Sequence, residues 1–303
     1  MTKPSSTKAA VDDRRLVISF SGGRTSGLML RRLIDKTRDT NVVVTFANTS
    51  QEDERTLEFV HKIDCEWGIG IVWLEAVVNP GRGNGTTHKV VSFDTADRSG
   101  AVFESVIAKY GIPNKGFPGA CTRELKLRAI TSYLRSIGWG PGTYDTAIGI
   151  RADEFDRMDS MASEKRFIYP LIADGITKDD VLAWWRTQPF DLGIPEHFGN
   201  CRWCWKKSLR KHLTLVKECP EAFDFPRRME AQYAHAGSGT GPRTFFRNYM
   251  TVDDLFDLAQ HPFDSFRDKN VPVQPPSALD IPGGGCGESC EIYADGIEEA
   301  EAA

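Results

Sequence analysis

No apolar run in this chain approaches the ~20 residues that a membrane-spanning helix needs, which argues against a helical membrane protein. The opening MTKPSSTKAAVDDRR has no apolar core and so does not read as a secretory signal. The expectation is a cytoplasmic protein in which residues 1–14 form a loose tail. Excess charge is also scarce. Lys and Arg number 38 against 42 Asp and Glu, a formal net charge of -4, with a pI near 5.9. Nothing global therefore attracts nucleic acid or a membrane surface, although a local basic patch stays open. Cysteine is sparse, at seven residues in 303. In a reducing compartment these read as metal ligands, catalytic thiols or core residues rather than disulfides. The GxxxxGK[ST] spacing of the Walker loop is absent as well.

In place of a Walker loop stands LVISFSGGRTSGLML, residues 16–30. Leu16 to Phe20 reads as a buried strand, and Gly27 to Ile34 carries Leu28, Leu30, Leu33 and Ile34 as a helix packing on a sheet. Between them lie Ser21, Gly22, Gly23, Arg24, Thr25 and Ser26. Glycines remove the Cβ atoms that would block an anion, and a helix N-terminus aims N–H groups at it. Ser21, Thr25 and Ser26 add hydroxyls and Arg24 adds positive charge. A strand–helix turn made tight by glycine is the plainer reading, and the SGGxxS pattern after an apolar strand favours phosphate binding over it.

Asn41 to Ala47, NVVVTFA, is nearly all apolar and suits a central parallel strand. Asn48, Thr49 and Glu52 follow at its carboxyl end, where open α/β sheets bind ligands; a solvated turn capping a helix from about Thr56 to Trp67 is equally compatible. Ile69 to Val78 reads as a third strand, and Asn79 to Thr87 as a glycine-rich loop. Phe103 to Tyr110 reads as a short helix. Leu127, Ile130, Leu134 and Ile137 recur at helical spacing, so a helix is expected from near Thr122, with Cys121 at its mouth, where a helix N-terminus favours the thiolate. Arg123 and Lys126, three apart, are expected on one face of it. An apolar strand from Tyr144 to Ile150 runs into Arg151, Asp153, Glu154 and Arg157. Thr177 with Asp180 predicts a capping box for a helix over 178–186. Cys201 and Cys204 have CxxC spacing, which can bind one metal ion or one cluster. Phe198, Trp203 and Trp205 would shield it, and Lys206, Lys207, Arg210 and Lys211 would offset its charge or meet a polyanion. Helices are expected over 226–235 and from Thr251 to about Ala259. Beyond Pro272 the chain becomes an irregular Pro/Gly-rich arm carrying Cys286 and Cys290.

Several of these segments together resemble one family. SGGRTS resembles the PP-loop of the adenine-nucleotide α-hydrolase superfamily. FANTSQEDERTLEFV is similar to the "FANTG.E...TLEFV" element of phosphoadenosine phosphosulfate (PAPS) reductases and their relatives, with Ser50 in place of the glycine. CTRELK resembles their "C...LK" motif, GIRADEFDR their "GiR..E...R" element, and Tyr169-Pro170-Leu171 their "yPL" turn. The resemblance spans roughly Val17 to Lys207. It implies an α/β fold with a Rossmann-like parallel sheet, adenine-nucleotide α-hydrolase-like, over residues 15–212, followed by a helical C-terminal extension over 213–264 and an irregular arm over 265–303. It implies an adenine nucleotide, PAPS or ATP, contacted by residues 21–26, Asn48, Thr49, Glu52 and Arg157, with Arg123, Lys126 and Arg151 acting on its phosphate or sulfate groups. It also implies an iron–sulfur cluster, [4Fe–4S] in the nearest relatives, on Cys121, Cys201, Cys204 and a fourth ligand. Ala120 stands where many iron–sulfur members carry a second cysteine, so the fourth is assigned to Cys290, with Cys286 as the other candidate. Composition alone leaves zinc equally open.

Two reactions follow from the resemblance. In sulfonucleotide reductases a C-terminal Cys-Gly attacks the sulfur of the nucleotide, and Cys286-Gly287 would supply that thiol, although Glu288-Ser289 departs from the usual continuation. The electron donor would be a thiol or a thioredoxin-type protein. In PP-loop ATP pyrophosphatases a substrate is adenylated, for example for thiolation of a nucleobase or nucleic acid. The complete SGGRTS loop favours this reaction, and Asp53, Asp153 and Glu154 would hold Mg²⁺ for it. A nucleotide-binding module without catalysis is the third reading. A nucleic-acid partner and a homo-oligomer are left open, and no membrane partner is expected.

Overall fold

In the computed structural model, the structure describes residues 15–37, 41–81, 83–117, 120–199, 201–238 and 241–267. Strands β1 (Arg15–Ser19), β2 (Asn41–Asn48), β3 (Val72–Val78), β4 (Thr86–Val91), β5 (Asp145–Ala147) and β6 (Phe167–Ile168) form one sheet in the order β4-β3-β2-β1-β5-β6. All neighbours are parallel except β3 and β4. The chain builds outward from β1 through β2 to β3, then returns to lay β5 on the other side of β1. That reversal places a topological switch point between the carboxyl ends of β1 and β5.

Helices cover both faces, as a Rossmann-like α/β fold requires. Helices α1 (Arg24–Ile34), α2 (Glu54–Trp67) and α6 (Lys178–Arg186) bury Leu28, Leu57, Ile63 and Trp185 against Ile18, Phe20, Phe46 and Trp73. On the other face Leu125, Ile130 and Leu134 lie buried, the last two packed with Val17, Ala47 and Leu74. The alternation of Val17 with Ile18, and of Trp73 with Leu74, is the period-two signature of strands buried on both sides. Helices α7 (Leu209–Glu218), α8 (Asp224–Tyr233) and α9 (Val252–Ala259) share a third apolar cluster with α3 (Ala101–Tyr110) and with Trp203 and Trp205. The expected helix over 178–186 has its capping box: Thr177 accepts from the Asp180 N–H, and Asp180 accepts from the Thr177 N–H at 2.9 Å.

Four local expectations change. The loop from Asn79 ends at Gly85, because Thr86 and Thr87 already pair with Val78 and Val77 in the antiparallel edge strand β4. Tyr169-Pro170-Leu171 opens a short helix, α5 (Pro170–Ala173), rather than a turn. The helix after Cys121 begins as an eight-residue π-helix, Cys121–Arg128, and becomes α-helical only in α4 (Ala129–Ser136). Finally, Lys206, Lys207, Arg210 and Lys211, expected to offset a cluster's charge or meet a polyanion, present no open basic surface to a polyanion. All four are buried, and the Lys207 ammonium donates to the carbonyl oxygens of Phe198, Cys201 and Arg202. Residues 1–14 and the arm from 268 to 303, with Cys286 and Cys290, lie outside the described residues.

Candidate functional site

The β1–α1 loop sits at the carboxyl end of β1, beside the switch point. Gly22 has φ +81°, and a Cβ there would lie 2.8 Å from the Thr56 methyl and 3.1 Å from both Phe46 and Val60. Its lack of a side chain is thus required by packing against α2. Gly23 is the N-cap of α1, at φ -97° and ψ 164°, a conformation any residue adopts. No side chain caps this helix start, so the glycine at Gly23 leaves the first N–H groups of α1 clear of a side chain. The Ser21 and Ser26 hydroxyls lie 2.8 Å apart, and Ser26 also donates to the Gly23 carbonyl at 3.2 Å, which fixes the loop. Arg24 is held elsewhere. Its guanidinium donates twice to Asp191, both at 2.7 Å, so its charge is neutralised by a carboxylate 167 residues away.

Arg151, from the chain leaving β5, donates to the Thr25 hydroxyl at 3.3 Å and so joins the two sides of the switch point. It also meets Asp153 at 3.0 Å and Glu154 at 3.3 Å. Glu154 in turn holds Arg157 at 2.6 Å. Burial alone would raise the Asp153 carboxyl, but its bonds to Arg151 outweigh burial and hold it below the usual carboxylate range.

The carboxyl end of β2 carries a tightly wired turn. Ser50 has φ +65°, a left-handed conformation that explains why the element it resembles has glycine there. Its hydroxyl compensates by accepting the Phe103 N–H at the start of α3. Glu52 accepts from the Thr49 hydroxyl at 2.7 Å and the Thr49 N–H at 3.0 Å, and Asn48 donates to buried Glu75 at 2.8 Å. Asn48, Thr49 and Glu52 therefore satisfy one another or nearby groups. Asp53 caps α2 and pairs with Arg55.

The CxxC turn docks on this same end. Glu52 forms an isolated antiparallel bridge with Cys201, Trp203 donates its indole N–H to Gln51 at 2.7 Å, and Arg202 reaches Asp53 at 3.8 Å. Burial raises the Glu52 carboxyl, against the opposing pull of Lys126. Burial and then the Glu52 charge push the Cys201 thiol up, while Lys207 and Lys126 pull it down and Cys121 adds a further upward push. Cys121, Glu52 and Lys126 thus lie within electrostatic reach of Cys201. Arg123 does not join them. It pairs with Glu124 at 2.7 Å and lies over the Tyr110 ring. The π-helix explains the separation: with i→i+5 hydrogen bonds, positions three apart diverge more than they do on an α-helix. His212 donates to the Cys204 carbonyl at 2.9 Å; burial first, with Lys207 and Arg247 adding to it, lowers its pKa to about 3, so it is a neutral strut under the turn.

A cluster ligated by these thiols can be tested against the residues present. No group of three His, Cys, Asp or Glu is arranged to hold a metal ion among the described residues. Two thiols within electrostatic reach, with the charges of Lys126 and Lys207 acting on Cys201, are compatible with the donor chemistry of an anionic cluster. An Arg247 guanidinium nitrogen is also buried with no hydrogen-bond partner among the described residues, and its charge reaches His212 beneath Cys204. Two thiols with cations nearby match part of the donor set, no third ligand is arranged with them among the described residues, and the expected fourth lies outside those residues.

Sequence reasoning missed Asp191, Glu75 and the structural part of Lys207. None has a local signal, because each partner is distant in sequence or is a backbone carbonyl. No family model matches the chain. A protein of Escherichia phage lambda, described as uncharacterized nin region protein ORF290, is 33% identical over 291 residues, spanning 93% of this chain and 96% of its own length. Identity at that level across nearly the whole of both chains is decisive: this protein belongs to the family of the phage lambda nin region protein ORF290.

Proposed function

We propose that the chain is an adenine-nucleotide-binding PP-loop enzyme, adenine-nucleotide α-hydrolase-like in fold, that acts in sulfur transfer or reduction in the manner of PAPS reductases. One observation carries this reading: the loop after β1, Arg151 after β5 and the Cys201 turn on β2 converge at the carboxyl edge of the sheet. In such a site the N–H groups of α1 and the Ser21 and Thr25 hydroxyls bind the acidic groups of the nucleotide. Arg151, although paired with Asp153 and Glu154, reaches the Thr25 hydroxyl and so sets its guanidinium at the loop, whereas that of Arg24 is bound to Asp191. Lys126, whose charge acts on both Glu52 and Cys201, would orient an anionic sulfur group near the thiols.

Cys121, Cys201 and Cys204 are the described residues that would hold a [4Fe–4S] cluster, or zinc. Such a cluster, when bound, supplies a redox-active centre to the edge of this site. The expected outcome is a brown protein after anaerobic purification, with colour lost in Cys201→Ser and Cys204→Ser. Colourless protein holding stoichiometric zinc contradicts the iron–sulfur assignment.

The runner-up is an ATP pyrophosphatase. The intact Ser21–Ser26 loop favours it, whereas its Mg²⁺ carboxylates do not: Asp53 is bonded to Arg55 and Asp153 to Arg151. An anaerobic assay separates the two, since sulfite release from PAPS supports reduction and pyrophosphate release from ATP supports adenylation. Binding without turnover of either leaves a nucleotide-binding module.

A further inference from the structure

A separate cleft runs along the long helix that begins at Cys121. One wall is the face of that helix carrying Arg128, Thr131, Ser132 and Arg135; the other is the Asn79–Thr87 segment, with Asn84 and Thr87. Together they enclose a cleft of about 600 Å³. The second wall is a built one. The Lys109 ammonium donates to the carbonyls of Asn79, Gly81 and Asn84 at 2.5, 3.3 and 2.7 Å, and the Asn79 amide donates to Gly85 at 2.6 Å. The first wall is fixed by a hydrogen bond between Ser132 and His88 on β4, 2.9 Å long.

Among the described residues the cleft has no acidic and no aromatic lining residue. Every functional group in it is a guanidinium, a hydroxyl, an amide or main chain. Neither Arg128 nor Arg135 has an ion-pair or hydrogen-bond partner among the described residues, unlike Arg24, Arg123, Arg151 and Arg157, whose carboxylates are named above. Two unneutralised guanidinium groups with hydroxyls between them are the donor set for phosphate oxygens.

The spacing suits an extended phosphate ligand. Positions 128 and 135 share a face two turns apart, about 10 Å along the axis at 1.5 Å per residue. Neighbouring phosphates of one nucleic-acid strand are set a full sugar–phosphate repeat apart, so a strand running along the cleft can offer a separate phosphate to each arginine. The lack of aromatics removes the platforms on which bases stack, leaving contacts to the backbone alone.

The geometry points to a binding cleft for the phosphodiester backbone of a nucleic-acid strand, read without regard to base sequence, between Arg128/Arg135 and the Asn79–Thr87 wall. It is independent of whether the β1–α1 loop binds a nucleotide.

The test is fluorescence anisotropy of the full chain with a labelled mixed-sequence single-stranded oligonucleotide, titrated at several salt concentrations. Arg128→Gln/Arg135→Gln is expected to weaken binding at least tenfold and to flatten the salt slope by about 1.4, two contacts at about 0.7 each. Arg135→Glu, at an exposed position that leaves the fold intact, is expected to weaken it in the same direction. Oligonucleotides of different sequence should lose affinity equally. Unchanged affinity and slope in both variants overturn the proposal, as does absence of binding at 50 mM salt. Inorganic triphosphate competing as well as the oligonucleotide, mole for mole, overturns the strand in favour of a small polyphosphate.

Discussion

At the scale of single residues, the two adjacent glycines of the β1–α1 loop do different work. Gly22 is fixed by its backbone, at φ +81°, and by the 2.8 Å approach to Thr56. Gly22→Ala should therefore destabilise the protein, by about 1–3 kcal/mol, through strain and overpacking. Gly23 has an unstrained conformation at the N-cap of α1. Gly23→Val should leave the melting temperature nearly unchanged while removing nucleotide affinity, because a branched side chain fills the anion cradle. Calorimetric unfolding and nucleotide titration on the two variants distinguish these roles, and a Gly23→Val protein that melts much earlier contradicts the division. The glycine pair was legible in the sequence, but its division of labour was not. Packing of Gly22 on Thr56 depends on where α2 lies, which no local pattern states. The fate of Arg24 was hidden for the same reason, since its carboxylate, Asp191, lies beyond five further strands.

At the scale of elements, long apolar runs were easy to read and short or one-sided ones were not. β1 and β2 announce themselves because both of their faces are buried. β4 has a partner along one edge and alternates weakly in burial, so its sequence does not announce a strand, and its first two residues read as loop. The π-helix was illegible because the helical spacing of Ile130 and Leu134 belongs to α4, while the preceding CTRELKLR lacks a period of its own. Elements that meet late in the chain also depend on charge. Glu196 joins α6 to α7 by accepting from Lys178 and, at 2.8 Å, from Lys211. Burial alone would raise its carboxyl, but Lys211 and then Lys178 outweigh burial and lower it from 4.5 to about 2. A depressed folded-state value means that this stability is present above about pH 4.5 and is lost as pH falls toward 2. Glu196→Gln should therefore be less stable near pH 6, by on the order of 2 kcal/mol, with the gap closing over that acid range. A gap independent of pH in denaturant titrations contradicts the linkage.

At the scale of the whole molecule, the sheet order brings together segments that are far apart in sequence. Residues 21–26, Glu52, Arg151 and Cys201 reach one edge because the chain reverses direction about β1. The motifs were visible one by one, and their convergence required only that the strands be parallel, which their apolar runs indicated. The thiols' neighbours were less visible: Lys207 reads in sequence as charge that offsets a cluster or meets a polyanion, yet it is buried and clamps the CxxC turn through main-chain carbonyls. The decisive measurement is calorimetric titration of the anaerobically purified full chain with PAPS and with ATP, repeated on Gly23→Val. The expected result is saturable binding of at least one nucleotide by the wild type and of neither by a Gly23→Val protein of unchanged melting temperature. Binding of neither nucleotide by the wild type, or equal binding by both proteins, would show that the β1–α1 loop is a structural turn rather than a nucleotide site.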